Sequence, residues 1–127
     1  MLDVDFVITI HDEILKELGG LPGLAYGGRG GVEAALLRVE HHAIYNGLND
    51  VFGIAAMYGV AIASGHVFND ANKRTALACT LTYLAREGYQ IPQTPELEDI
   101  IVEVAQGHLG GEQFADYLYS IFQGENS

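Results

Sequence analysis

The chain has 127 residues, 49% of them hydrophobic, which suits one domain with one core and argues against a disordered chain. Seventeen Asp and Glu against six Lys and Arg give a formal net charge of −11. That balance disfavours direct nucleic-acid binding and docking on an anionic membrane, both of which need basic groups, and leaves a basic partner or a solvated acidic surface.

Met1 is followed by Asp3 and Asp5 rather than by a basic and then apolar leader, so no signal peptide is expected. No apolar run is long enough to span a bilayer, and a cytoplasmic domain is expected. Val4, Val7, Ile8, Ile14, Leu15 and Leu18 recur mostly at helical spacing and predict a helix over residues 3–18. The β-branched run Val7-Ile8-Thr9-Ile10 leaves a short strand as the alternative. Within it His11-Asp12-Glu13 is a candidate catalytic cluster. Neighbouring residues on a helix diverge, however, so a solvated face or a local hydrogen bond is the preferred reading. Gly19-Gly20 stops this element and Pro22-Gly23 makes a turn.

Ala25 to Gly31 holds four glycines around Arg29. It lacks the spacing of a nucleotide-binding P-loop and no convincing strand precedes it, so a mobile surface loop is expected. The functional alternative is a flap over a substrate groove, with Arg29 reaching a phosphate or an acidic partner. Val32 to Tyr45 reads as a helix with Ala35, Leu36, Val39 and Ala43 on one face. His41 and His42 are consecutive and cannot chelate from one face, so no metal is expected there. After Asn46-Gly47, Asp50 is a candidate N-cap for a helix carrying Phe52, Ala55, Ala56, Gly59, Ile62 and Ala63. This most uniformly apolar segment is the expected central helix, broken at Gly65.

Ala76, Leu77, Thr80, Leu81 and Leu84 form a second buried stripe, closed by Gly88. Cys79, the only cysteine, lies within it, so no intrachain disulfide can form and a reducing compartment is expected. Ile91-Pro92 and Thr94-Pro95 make a rigid connector, with Pro95 in the first turn of the next helix. There Leu97, Ile100, Ile101 and Val104 face inward, while Glu96, Glu98, Asp99 and Glu103 are solvated. A last helix from about Gly111 carries Phe114, Tyr117, Leu118, Ile121 and Phe122, a set broad enough that part is expected to meet a partner. Gly124 to Ser127 should fray. The expectation is a compact all-α bundle of about six helices in one domain over residues 1–127.

The chemistry concentrates between the two central helices, in Gly65-His66-Val67-Phe68-Asn69-Asp70-Ala71-Asn72-Lys73-Arg74-Thr75. His66 suits a general base because an imidazole titrates near neutrality. Asp70 is a hard oxygen ligand suited to magnesium. Asn72, Lys73 and Arg74 fall where a loop becomes a helix and unpaired backbone N–H groups attract anions. Phe68, an apolar residue amid polar ones, reads as the anchor pinning the loop to the core. Together these suggest chemistry on a phosphorylated substrate. As bland alternatives, His66 could be a satisfied helix-end histidine, and Asp70 or Asn72 a helix cap.

His66 to Arg74 resembles the signature of the Fic/Doc superfamily in its death-on-curing (Doc) form. The broader pattern is His-x-Phe-x-(Asp/Glu)-(Gly/Ala)-Asn-Gly-Arg-x-x-Arg. This chain has Lys73 at the second glycine and Leu77 at the second arginine, both matching the Doc branch. The resemblance extends to His11-Asp12-Glu13, to Gly19-Gly20-Leu21-Pro22-Gly23 and to the helix after Arg74, nearly the whole chain. It implies the Fic arrangement of the helices and an ATP-dependent toxin acting as a kinase, with the γ-phosphate facing the catalytic histidine. The implied target is a threonine of translation elongation factor Tu, and the implied partner a Phd-type antitoxin. By position, His66 would deprotonate the target hydroxyl and Asp70 would coordinate magnesium. Asn72, Lys73 and Arg74 would hold the ATP phosphates, and Phe68 would pack the loop. Two other readings remain open: a Fic-type AMP transferase, disfavoured by Lys73 and Leu77, and a non-catalytic regulatory domain.

Overall fold

A computed structural model describes residues 1–125 as six helices joined by short loops. They are α1 (Val4–Leu18), α2 (Gly28–Asn46), α3 (Val51–Gly65), α4 (Asn72–Arg86), α5 (Pro95–Ala105) and α6 (Gly111–Glu125). No strand occurs among the described residues, so the all-α expectation holds. The possible strand at Val7–Ile10 is helix. Asp3 caps α1 by accepting from the Phe6 N–H at 2.8 Å, and the Thr9 hydroxyl bonds back to the Asp5 carbonyl at 2.8 Å. Those local bonds outweigh the modest penalty of β-branching. Thr94 caps α5 in the same way, with Pro95 in its first turn.

Helix α3 is the centre, touching α2, α4, α5 and α6. Its small residues allow that. A Cβ on Gly59 would lie 2.5 Å from the ring of the fully buried Phe114, so glycine is what lets α6 approach. The buried Thr80 hydroxyl donates to the Ala55 carbonyl at 3.0 Å and ties α4 to α3. Tyr58, also buried, accepts from the Leu2 N–H at 2.7 Å and fastens the N-terminus to the same helix.

Several expectations change in the structure. The stretch Ala25–Gly31 is not a free loop: α2 begins at Gly28, and Arg29 pairs with Asp5 at 2.8 Å and Glu33 at 3.5 Å. The apolar face of Val32, Ala35, Leu36, Val39 and Ala43 is buried along this helix, and its glycines lie only in the first turns. Asp50 stands at the start of α3 but makes no side-chain cap bond, because its carboxylate accepts from His42 Nε2 at 2.8 Å instead. His11, expected on a solvated face or in a local hydrogen bond, is buried, with Nδ1 3.3 Å from Asp12 Oδ1. The broad apolar set of α6 is used mainly inward. Phe114 and Leu118 are buried, and Phe122 joins Phe52 and Tyr89 in an aromatic cluster with centroids 5.0–5.9 Å apart. Only Tyr117 and Tyr119 of its large apolar residues stay exposed. The fraying expected from Gly124 onward meets a helix that runs to Glu125; Asn126 and Ser127 lie outside the described residues.

Candidate active site

The motif is a six-residue loop, residues 66–71, strung between α3 and α4. Its two borders carry the only non-glycine residues with positive φ among the described residues, His66 (φ 48°) and Ala71 (φ 62°). Left-handed backbone costs an L-residue about 1–2 kcal/mol, and such strain persists where the surroundings over-determine it. Here Gly65 is the last helical residue and His66 itself takes the left-handed turn. That leaves the imidazole exposed, with no hydrogen-bond partner among the described residues.

The loop is held from three sides. From within, Asn72 grips Phe68: its Oδ1 accepts from the Phe68 N–H at 3.0 Å, and its Nδ2 donates to the Phe68 carbonyl at 2.9 Å. From the segment after α1, a short antiparallel contact pairs Leu24 with Phe68. Ala25 N–H donates to the Val67 carbonyl at 3.0 Å and Asn69 N–H to the Gly23 carbonyl at 3.1 Å. The Asn69 amide adds a bond to the Pro22 carbonyl at 3.0 Å. From α1, the His11 ring stacks on that of Phe68, centroids 3.8 Å apart and planes 6° from parallel, and its Nε2 lies 2.9 Å from the Asp70 carbonyl oxygen. Phe68 is accordingly 2% exposed.

Asp70 is half-buried, and both its oxygens are engaged by backbone. Oδ1 accepts from Ala71 N–H at 2.7 Å and Oδ2 from Leu21 N–H at 3.2 Å. These bonds, Ala71's first and Leu21's second, hold its carboxyl below the usual carboxylate range, with smaller help from the charge of Arg74. Gly20 is required beside it. A Cβ there would lie 2.8 Å from both Asp70 Oδ2 and Leu15 Cδ2, and its φ of 132° suits glycine. Gly19-Gly20, read from sequence only as a helix stop, therefore also makes room for the carboxylate.

Helix α4 starts at Asn72 behind Ala71, which offers no side-chain cap. Because the Asn72 amide is committed to Phe68, what Asn72 turns to a ligand is its backbone N–H. The first-turn N–H groups of Asn72, Lys73 and Arg74 find no acceptor among the described residues, whereas Thr75 N–H reaches the Ala71 carbonyl at 3.0 Å. Lys73 and Arg74 are exposed and make no ion pair among the described residues. An uncapped helix N-terminus with two free cations offers the chemistry that attracts an anion. Beside it opens a cleft of about 300 Å³ lined by Leu18, Lys73, Arg74, Leu77, Gln93, Glu98, Ile101 and Val102. Leu77, where the broader pattern has arginine, is a nearly buried wall of that cleft.

No group of three or more His, Cys, Asp or Glu that could hold a metal occurs among the described residues. Magnesium riding on phosphates would need only one or two carboxylates. Asp70 fits: each oxygen accepts one N–H and keeps a further lone pair. His11 is the residue that reading by adjacency missed. The signal was present in its spacing, since His11 shares a helix face with Val4, Val7, Leu15 and Leu18.

A six-helix fold with a clamped His-x-Phe-x-Asp loop opening onto an uncapped helix defines the class. Residues 1–84 match the Fic/DOC family, and the chain belongs to it. Over 116 residues it is 42% identical to "Protein kinase doc" of Escherichia phage P1, covering 91% of this chain and 90% of that protein. Among the described residues no helix is long and apolar enough to cross a membrane.

Proposed function

We propose that this protein is a Doc-type toxin that transfers the γ-phosphate of ATP to a threonine hydroxyl of elongation factor Tu and thereby stops translation. The observation that supports this best is the juxtaposition at the loop: an unpartnered exposed imidazole, an ionised carboxylate and an uncapped helix N-terminus flanked by Lys73 and Arg74. The likeness to a relative named as a protein kinase points the same way.

Phosphoryl transfer needs mainly positioning and charge neutralisation, and the residues divide that work. His66, free of internal bonds, accepts the proton of the target hydroxyl. The first-turn N–H groups of Asn72, Lys73 and Arg74, with the two side-chain cations, hold phosphate oxygens in a chain whose net charge of −11 would otherwise repel ATP. Asp70 would hold magnesium, whose charge offsets that of the phosphates when bound. Phe68 and Asn72 keep the loop in register. Leu77 leaves the cleft wall apolar where the broader pattern adds a second guanidinium, which favours the kinase over AMP transfer.

A Phd-type antitoxin is the proposed partner. Exposed Leu37 and Ile44 along α2 and Leu48 just after it, interspersed with Glu33 and Glu40, suit a basic amphipathic segment that folds on binding. Hydrogen exchange with the antitoxin added should protect α2; protection elsewhere alone would count against that face. The activity itself is tested by incubating the protein with elongation factor Tu and ATP labelled at the α or the γ position. Transfer of γ-label is expected. Transfer of α-label would mean AMP transfer, and transfer of neither would leave a binding role.

A further inference from the structure

His11 sits on α1, far from the motif in sequence, and is 1% exposed, although its neighbours Asp12 and Glu13 face solvent. A backbone carbonyl has no proton to give, so in the 2.9 Å contact with the Asp70 carbonyl the imidazole is the donor and Nε2 carries hydrogen. Nδ1 faces the exposed Asp12 carboxylate at 3.3 Å. The flat of the ring covers Phe68 at 3.8 Å. One side chain from α1 therefore fixes two separate points of the loop: the ring two residues after His66, and the peptide carrying Asp70. The other supports of Asp70, from Leu21 and Ala71, grip its carboxylate and leave its carbonyl to His11.

We propose that His11 is a positioning residue for this loop, setting the placement of His66 and Asp70 without touching substrate. The proposal rests on the reading of the motif as a phosphoryl-transfer site. His11 constrains the loop by two contacts of different kinds, and these can be separated. His11→Phe keeps an aromatic ring to stack on Phe68 and loses the donor; His11→Gln loses the ring and keeps a donor.

Two measurements are made on the full chain: kcat and KM for phosphorylation of elongation factor Tu, and amide hydrogen exchange of residues 66–72 without ATP. Misplacement of catalytic groups by about 1 Å costs up to about a hundredfold in rate. His11→Phe should therefore lower kcat by about tenfold to a hundredfold, with KM for ATP little changed and faster exchange at Asn69 and Ala71. His11→Gln should recover part of both. A melting temperature lowered in His11→Phe, with kcat per folded molecule and loop exchange at wild-type values, would mean a merely structural role and overturn the proposal. Should His11→Phe not fold, His11→Gln decides. Exchange at Ala71 held near the wild-type rate supports the donor's role, and exchange as fast as in Phe68→Ala overturns it. If the wild-type protein transfers no phosphate, the kinase reading fails by itself. The exchange comparison then still decides whether His11 holds the loop.

Discussion

Replacing Asn72 with alanine removes both hydrogen bonds that close the motif loop on itself, at 3.0 Å from the Phe68 N–H and 2.9 Å to the Phe68 carbonyl. A typical internal hydrogen bond contributes about 0.5–1.5 kcal/mol net, so the pair is worth about 1–3 kcal/mol. Alanine is the better helix former by up to about 0.7 kcal/mol, but position 72 is the first residue of α4, where that gain is smaller. The expected loss is about 1–2 kcal/mol, read as a lower urea midpoint at unchanged slope. Asn72→Asp separates the halves. It retains an acceptor for the Phe68 N–H but sets a carboxylate against the Phe68 carbonyl, and should be no more stable than the alanine variant. Since the backbone N–H survives in Asn72→Ala and no charge is added, kcat of that variant should fall more than its affinity for ATP. A midpoint for Asn72→Ala indistinguishable from wild type would refute the clamp.

Asp70 has a folded-state pKa below its unfolded value, so its ionised form adds stability that is full above the ordinary carboxylate pKa and lost as pH falls towards the lowered one. Asp70→Asn should flatten the acid limb of the stability profile below about pH 4, and an unchanged slope in acid denaturation would contradict the backbone bonds assigned to it. Thr75, in the first turns of α4, has a buried hydroxyl without a partner among the described residues. Thr75→Val should be neutral or stabilising by about 1 kcal/mol in thermal melts, whereas a loss of that size would reveal a bond the hydroxyl makes. Tyr58 is buried, which pushes its phenol up to about 12, and its oxygen receives the Leu2 N–H. Tyr58→Phe strands that donor and should cost about 1–3 kcal/mol in the same melts.

The helices and the site were legible to different depths. Apolar spacing was enough for α1, α4 and α5, which bury a face against their neighbours, while α3 was legible from its uniformly apolar run, being buried nearly all round. The motif was legible as a cluster because so many polar groups between two apolar helices demand partners. What spacing could not supply was the identity of those partners. The Asn72 side-chain amide bonds to Phe68, a pairing that only the folded loop brings into reach. Arg29 was read as a candidate for phosphate, but Asp5 lies closer once α1 and α2 pack. His11 was judged by its sequence neighbours, yet its environment comes from the loop some 60 residues on. Part of the breadth of α6 is met within the chain, where Phe122 packs against Phe52 and Tyr89, while Tyr117 and Tyr119 stay exposed. In each case long-range packing chose among bonds that local sequence left equally available.

The central claim is that the loop from His66 to Arg74 moves a phosphate, with His66 taking the proton. The most direct measurement is γ-labelled phosphate transfer to elongation factor Tu by wild-type protein and by His66→Ala, alongside ATP affinity and helicity for both. His66 is exposed and makes no internal bond among the described residues, so its loss should leave fold and affinity close to wild type while transfer disappears. A folded His66→Ala protein that still transfers γ-label at the wild-type rate would contradict the account.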